Sequence, residues 1–181
     1  MTSRRGRPRD EAAQAAIHTA AIDLLAENGY GSLTIEAIAR RAGVGRQTIY
    51  RWWSSKADVV LEALVARADA VVQADDLHGF LQATFANALA FTPVLSGLMA
   101  EAQLDARFGE QFVDGFLERR RQALAEHVRR ELPGVDPAMA ADLVFGMLWY
   151  RILTRRAKVP RSYATTVLRA LEALAVRPED D

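Results

Sequence analysis

Between Arg46 and Lys56 the sequence concentrates side chains of the types that can pair with base edges and phosphate oxygens. Arg46, Gln47 and Thr48 are consecutive. A guanidinium pairs with guanine through two parallel donors, a primary amide pairs with adenine, and threonine offers a hydroxyl and a methyl to a base edge. Tyr50, Arg51 and Trp52 follow with a phenol, a second guanidinium and an indole N–H, all suited to phosphate oxygens. Lys56 adds an ammonium where the next helix is expected to begin, and a helix N-terminus attracts phosphate. Catalytic chemistry has no comparable cluster. His18, His78 and His127 are isolated, and the chain has no HExxH pair, glycine-rich phosphate loop or G-x-S-x-G turn. No metal, cofactor or enzymatic activity is expected.

The elements that must hold these groups are readable on either side. Thr34 is a good N-cap for a short helix through Ile35, Ile38, Ala39 and Ala42, whose small and branched side chains face inward. Ala37 occupies the third helical position, so the capping box is incomplete. Gly43 stands where the helix needs a left-handed exit, and Val44 plugs the same small core. A second short helix is expected from about Arg46 to Trp52. Ile49 points inward with part of Tyr50 or Trp53, while Arg46, Gln47 and Thr48 face out. Two short helices joined by a glycine turn form the unit that places its second helix in the major groove.

The rest of the 181 residues also reads as helix. One buried stripe runs through Ala13, Ile17, Ala20, Ala21, Leu24 and Leu25 and stops at Asn28-Gly29. Ser54 and Ser55 cap a longer helix reaching Val72. Further helices are expected over 77–91, over 94–104 after Pro93, and over 108–132. Asp136 and Pro137 then open a helix to about Arg156 that is apolar almost all round, and Ser162 caps a final one to Ala175. No sustained period-two alternation and no Asn-Gly turn argues for strands. The expected fold is all-α, about nine helices, with an N-terminal three-helix DNA-binding domain and a C-terminal helical bundle.

The net charge of zero conceals an asymmetry. Residues 1–56 carry nine Arg/Lys against five Asp/Glu, a surplus of four positive charges, which the remaining residues balance. That split is the pattern expected where one end of a chain meets a polyanion and the other does not. There is no cysteine, so disulfides and thiol-ligated metals are excluded. The basic start is followed by an amphipathic helix, not an apolar core, and no run of about 18 apolar residues spans a bilayer. A cytoplasmic location without membrane association is expected.

Thr34, Ile38-Ala39, Ala42-Gly43-Val44, Tyr50, Trp53 and Lys56, preceded by Asn28-Gly29-Tyr30, give the stretch 10–70 a specific resemblance to the DNA-binding domain of the TetR family, with the motif at 34–53. Three positions depart from the family pattern. Gly45 stands where serine is usual, Trp53 replaces phenylalanine, and Trp52 replaces histidine or arginine. Residues 71–176 resemble the ligand-binding and dimerisation domain of one TetR subgroup through Ala100-Glu101-Ala102-Gln103 and Trp149-Tyr150-Arg151.

The resemblance implies a repressor released from a palindromic operator by a small, mostly apolar effector. Phe112, Phe116, Phe145 and Trp149 are the expected pocket walls. It also implies a homodimer through the last two helices, with recognition helices about 34–36 Å apart. The basic arm 1–9 would follow DNA through Arg5 and Arg7. Arg119-Arg120-Arg121 is read as a solvated face paired with Glu118 or Glu126. The alternatives are a TetR-like activator, a ligand-independent regulator, or a helical interaction scaffold that binds no DNA.

Overall fold

The computed structural model describes residues 11–71, 74–154, 160 and 162–175. Among them every regular element is helical. In chain order these are α1 (Glu11–Asn28), α2 (Ile35–Ala42), α3 (Arg46–Tyr50), α4 (Lys56–Val71), α5 (Leu77–Ala90), α6 (Thr92–Leu104), α7 (Ala106–Phe112, continued through a π segment Val113–Leu117 into Glu118–Glu131), α8 (Pro137–Leu153) and α9 (Tyr163–Ala175). The all-α expectation therefore holds, with nine continuous helices among the described residues. The arm with Arg5 and Arg7 lies outside the described residues, as do Val72, Arg155, Arg156, Lys158, Val159 and the tail from Arg177. No single helix among the described residues is long and apolar enough to cross a membrane.

The chain divides into two compact units between Leu64 and Val65, inside α4. The N-terminal unit is built on small side chains. Ile17 and Ala21 of α1, Ile38 of α2, Ile49 of α3 and Val59 and Val60 of α4 are all fully buried. Local signals set the ends of its helices. The Thr34 hydroxyl oxygen accepts from the Ala37 amide at 3.1 Å. Gly43 adopts φ 68°, and the Val44 amide reaches back 3.0 Å to the Ala39 carbonyl, the six-to-one bond that closes a helix C-terminus. At the start of α4, Ser55 and Asp58 cap reciprocally. The serine oxygen accepts from the Asp58 amide at 3.2 Å and its hydroxyl donates to the Asp58 carboxylate at 2.9 Å.

The C-terminal unit is built on larger groups. Phe80, Leu81, Leu98, Phe108, Phe112, Leu124 and Ile152 are almost wholly buried. α5 packs against α8, α9 and the last part of α7, and α6 packs against α8 and the first part of α7. Gly109 permits the α6–α7 approach, because a Cβ there would lie 2.8 Å from the Ala102 carbonyl oxygen. Carboxylates cap these helices as well: Asp76 accepts from Gly79, Asp105 from Phe108, and Asp136 from Ala138 and Met139.

The sequence of α8 is apolar almost all round, and its faces divide. It buries Ala140, Ala141, Val144, Leu148 and Ile152 within its own chain, while Met139, Leu143, Tyr150 and Leu153 stay 42–56% exposed on another face. The basic triplet Arg119–Arg121 is not uniformly solvated either. Arg121 sits 3.7 Å from Glu118 and 2.6 Å from Asp142. Arg120 instead turns inward, donating 2.8 Å to the hydroxyl of buried Thr84 and covering the Phe80 ring.

Candidate nucleic-acid interface

α3 ends at Tyr50, two residues earlier than expected: Arg51 is its C-cap, its amide still bonded to the Gln47 carbonyl, and the Trp52 amide tightens to a three-residue bond with Ile49 at 2.9 Å. Its inward anchor is Ile49, with no exposed surface, and Trp53 beneath it is 4% exposed. That anchoring fixes which side chains project. Arg46, Gln47, Tyr50 and Arg51 are exposed, and Thr48 and Trp52 are half-buried. Gly45, the residue before α3, has an extended backbone and supplies no side-chain cap.

Arg46 already has an anionic partner. One guanidinium nitrogen lies 2.8 Å from a Glu36 carboxylate oxygen on α2, and both side chains are exposed. The hydrogen bond to Arg46 holds the Glu36 carboxyl below the usual glutamate range and raises the arginine correspondingly. Arg41 holds Glu27 of α1 by two bonds, 3.0 and 2.7 Å, with the same lowering of the Glu27 carboxyl. Behind α3 the Arg51 guanidinium lies 5.4 Å over the Trp52 ring, and Trp52 meets Trp53 edge-on at 5.4 Å.

Lys56 has a structural task beyond the one expected of it. Its ammonium donates to the Tyr30 and Leu33 carbonyls at 3.2 and 3.1 Å and lies 4.6 Å over the Tyr30 ring. It thereby fastens the α1–α2 loop to the start of α4. The Thr34 oxygen is the cap of α2, and its hydroxyl proton is not used in that bond. The structure thus brings Arg46, Gln47, Thr48, Tyr50, Arg51 and Trp52 onto or next to one short helix.

Sequence reasoning missed Glu36 and Glu62. Glu62 of α4 accepts from the Trp53 indole at 2.7 Å and from the Gln14 amide of α1. A lone acid in the apolar run Val59–Val65 was the available signal.

In the second unit, Phe112 stacks with Phe108 at 6.1 Å and with Phe116 at 5.7 Å, and meets Trp149 edge-on at 6.1 Å. Three of the four expected wall residues are therefore together. Phe145 is half-buried one turn before Trp149 on α8. Phe108, fully buried, completes the ladder and was not singled out. The histidines have ordinary neighbours: His18 near Trp53 and Glu62, His78 with Thr165, and His127 with Glu131.

Two short helices joined by a glycine turn, the second exposing cationic, amide and phenol side chains of the kinds that suit base edges and phosphates, form a helix-turn-helix. Joined to an all-helical second unit, it defines a DNA-binding transcriptional regulator. The comparisons give the family. Residues 17–63 match the family described as bacterial regulatory proteins, tetR family, and residues 69–171 match the tetracyclin repressor-like C-terminal domain. The chain is 34% identical, over 90% of its length and 89% of the relative's, to the uncharacterized HTH-type transcriptional regulator YdeS of Bacillus subtilis (strain 168). A shorter match, 48% identical over 42 residues, links 23% of the chain to 21% of the uncharacterized HTH-type regulator Rv1556 of Mycobacterium tuberculosis (strain ATCC 25618 / H37Rv). Among solved structures, the TetR family transcription regulator SCO0332 is similar, with a TM-score of 0.75 at 27% identity, covering 92% of this chain and 99% of that one. A TetR-family regulator from Mesorhizobium loti MAFF303099 shares the fold, with a TM-score of 0.65 at 21% identity over 93% and 98% of the two chains. The chain belongs to the TetR family of bacterial transcriptional regulators.

Proposed function

We propose that this regulator is a cytoplasmic, non-enzymatic homodimer that represses from a palindromic operator and is released by a small, mostly apolar ligand. DNA reading is assigned to residues 10–70, through Thr34, Arg46, Gln47, Thr48, Tyr50, Arg51, Trp52 and Lys56, with Arg5 and Arg7 of the arm. Dimerisation and ligand binding are assigned to 71–176. The observation that carries the dimer is the open face of α8. Met139, Leu143, Tyr150 and Leu153 are spaced four, seven and three residues apart, the seam spacing of two packed helices, and all four are exposed in the single chain. A second copy across a two-fold axis would cover that face and set two recognition helices one turn of DNA apart. Ligand against Phe112, Phe116, Phe145 and Trp149 would favour a state of different half-site separation, and so lower operator affinity by differential binding.

The experiment is selection of duplexes from a random pool by the purified protein, followed by binding assays with a ligand panel. A palindromic consensus is expected, with affinity lost in Arg46→Ala/Tyr50→Ala and weakened by at least one apolar ligand. Binding that survives the double substitution would overturn the assigned reading helix. Unchanged binding across the panel would leave a ligand-independent regulator.

A further inference from the structure

A polar and aromatic relay connects α4 to the DNA-facing end of α3, and nothing in the helix-turn-helix pattern requires it. Trp53 occupies a position where a plain hydrocarbon ring would fill the core equally well. Its indole N–H nevertheless donates 2.7 Å to one Glu62 carboxylate oxygen. The other oxygen accepts from the Gln14 amide of α1 and lies 3.7 Å from His18 Nε2. His18 also packs against the Trp53 ring at 5.7 Å. On its other side Trp53 meets Trp52 edge-on, and Trp52 carries the Arg51 guanidinium. A displacement of Glu62 is therefore transmitted by contact to a residue pair suited to phosphate.

The chemistry makes the relay directional. A carboxylate accepting from an indole N–H forms a charge-assisted hydrogen bond, stronger and more orienting than ring packing alone. Trp53 is 4% exposed, so water does not readily replace that acceptor. Glu62 thus fixes the rotation of the Trp53 ring against α4. Trp53 in turn fixes the edge on which Trp52 rests.

We infer that Glu62 is a positioning residue for DNA recognition: through Trp53 and Trp52 it sets the placement of Arg51 and the end of α3 relative to α4. This rests on the DNA-binding assignment but on neither the ligand nor the dimer. It also gives α4, the helix that leads from one unit into the other, a specific handle on the reading surface.

The test compares Trp53→Phe, Glu62→Ala, their combination and Glu62→Gln on a duplex selected by the wild-type protein and on a mixed-sequence duplex. Losing one charge-assisted hydrogen bond is expected to weaken selected-duplex binding about tenfold in Trp53→Phe and in Glu62→Ala. The combination is expected to lose no more than either alone. Glu62→Gln should bind within about threefold of wild type, since its carbonyl still accepts the indole N–H once the Gln14 amide turns over. Mixed-sequence binding should weaken as well, and its salt dependence should fall, because the displaced Arg51 addresses phosphate and phosphate contacts carry no sequence information.

The ¹⁵N–¹H spectrum adds a readout that simple destabilisation would not move. The Trp53 indole resonance, identified by its loss in Trp53→Phe, should stay downfield in Glu62→Gln and shift upfield in Glu62→Ala. Multiplying losses in the double variant, mixed-sequence binding left at its wild-type strength and salt dependence, or wild-type binding by Trp53→Phe would each overturn the proposal. Should Glu62→Ala fail to fold, the pair Trp53→Phe and Glu62→Gln decides it alone.

Discussion

Two tyrosines are exposed to nearly the same degree, Tyr50 at 54% and Tyr150 at 56%, in opposite company. Tyr50 stands on α3 among Arg46, Gln47 and Arg51. Tyr150 stands on α8 among Leu143, Leu153 and Met139. An exposed aromatic says little alone, because soluble proteins expose apolar atoms everywhere. Its neighbours decide what it is for: cationic and amide groups address a polyanion, whereas a contiguous apolar stripe addresses another protein surface. The molecule thus exposes two faces of opposite chemistry, one in each unit.

The sharpest way to break that comparison is to charge the apolar face. Leu143→Glu with Tyr150→Glu places like charges across the proposed two-fold seam without touching a buried residue. The expected result is a folded monomer in sedimentation and loss of palindrome affinity by more than about a hundredfold, as the avidity of two linked half-sites disappears. Half-site binding should persist. An unaltered dimer would move the interface elsewhere.

The two faces were not equally legible. Around α3 the deciding signals are local: Thr34 caps three residues ahead, Gly43 makes the left-handed exit, and Ile49 fixes which side of a five-residue helix faces out. On α8 the Asp136-Pro137 start was equally plain, but the sequence could not say which of two apolar faces the chain itself covers. That depends on α5, α6 and α7 arriving from elsewhere. The same reason hid the polar ties. Arg120 to Thr84 and Glu131 to Leu77 span 36 and 54 residues, and no spacing rule connects them. The π segment 113–117 escaped as well. A wider turn lasting five residues leaves no distinct period, and Gly115 alone does not announce it.

Lys56 tests whether the DNA-facing unit separates structure from recognition. Lys56→Met removes both bonds to the Tyr30 and Leu33 carbonyls, and is expected to cost about 1–3 kcal/mol in urea denaturation. It should also lower the dependence of log affinity on log salt by about 0.9, the value for one phosphate contact. A stability loss with an unchanged salt slope would make Lys56 a purely structural residue.

Glu131 offers a pH test confined to the second unit. Burial pushes its carboxyl up, but the Leu77 amide, His127 and Arg130 together outweigh burial and hold it below the ordinary 4.5. A depressed folded-state pKa stabilises above the unfolded value, and that contribution disappears as pH falls through the folded value. Glu131→Gln should therefore cost about 1 kcal/mol at pH 7, for the charged part of the interaction. The gap should shrink below pH 4.5 and close further down, where wild-type Glu131 is itself neutral. A gap constant from pH 7 to pH 3 would mean that the charge contributes nothing.

The smallest effect concerns Gly45, one of the three positions that depart from the family pattern. Gly45 adopts φ −75° and ψ 146°, which any residue accepts, and a Cβ there meets nothing within 4 Å. Its replacement by serine is therefore unstrained. The new hydroxyl oxygen could accept from an amide in the first turn of α3, which now has no side-chain partner at that end. The gain should be only a few tenths of a kcal/mol, because glycine is itself a tolerable N-cap. Since Arg46 is the next residue, the same substitution should tighten selected-duplex binding more than mixed-sequence binding if α3 frays before it meets DNA. Equal tightening on both duplexes would show that the serine adds a phosphate contact and leaves the order of the helix as it was.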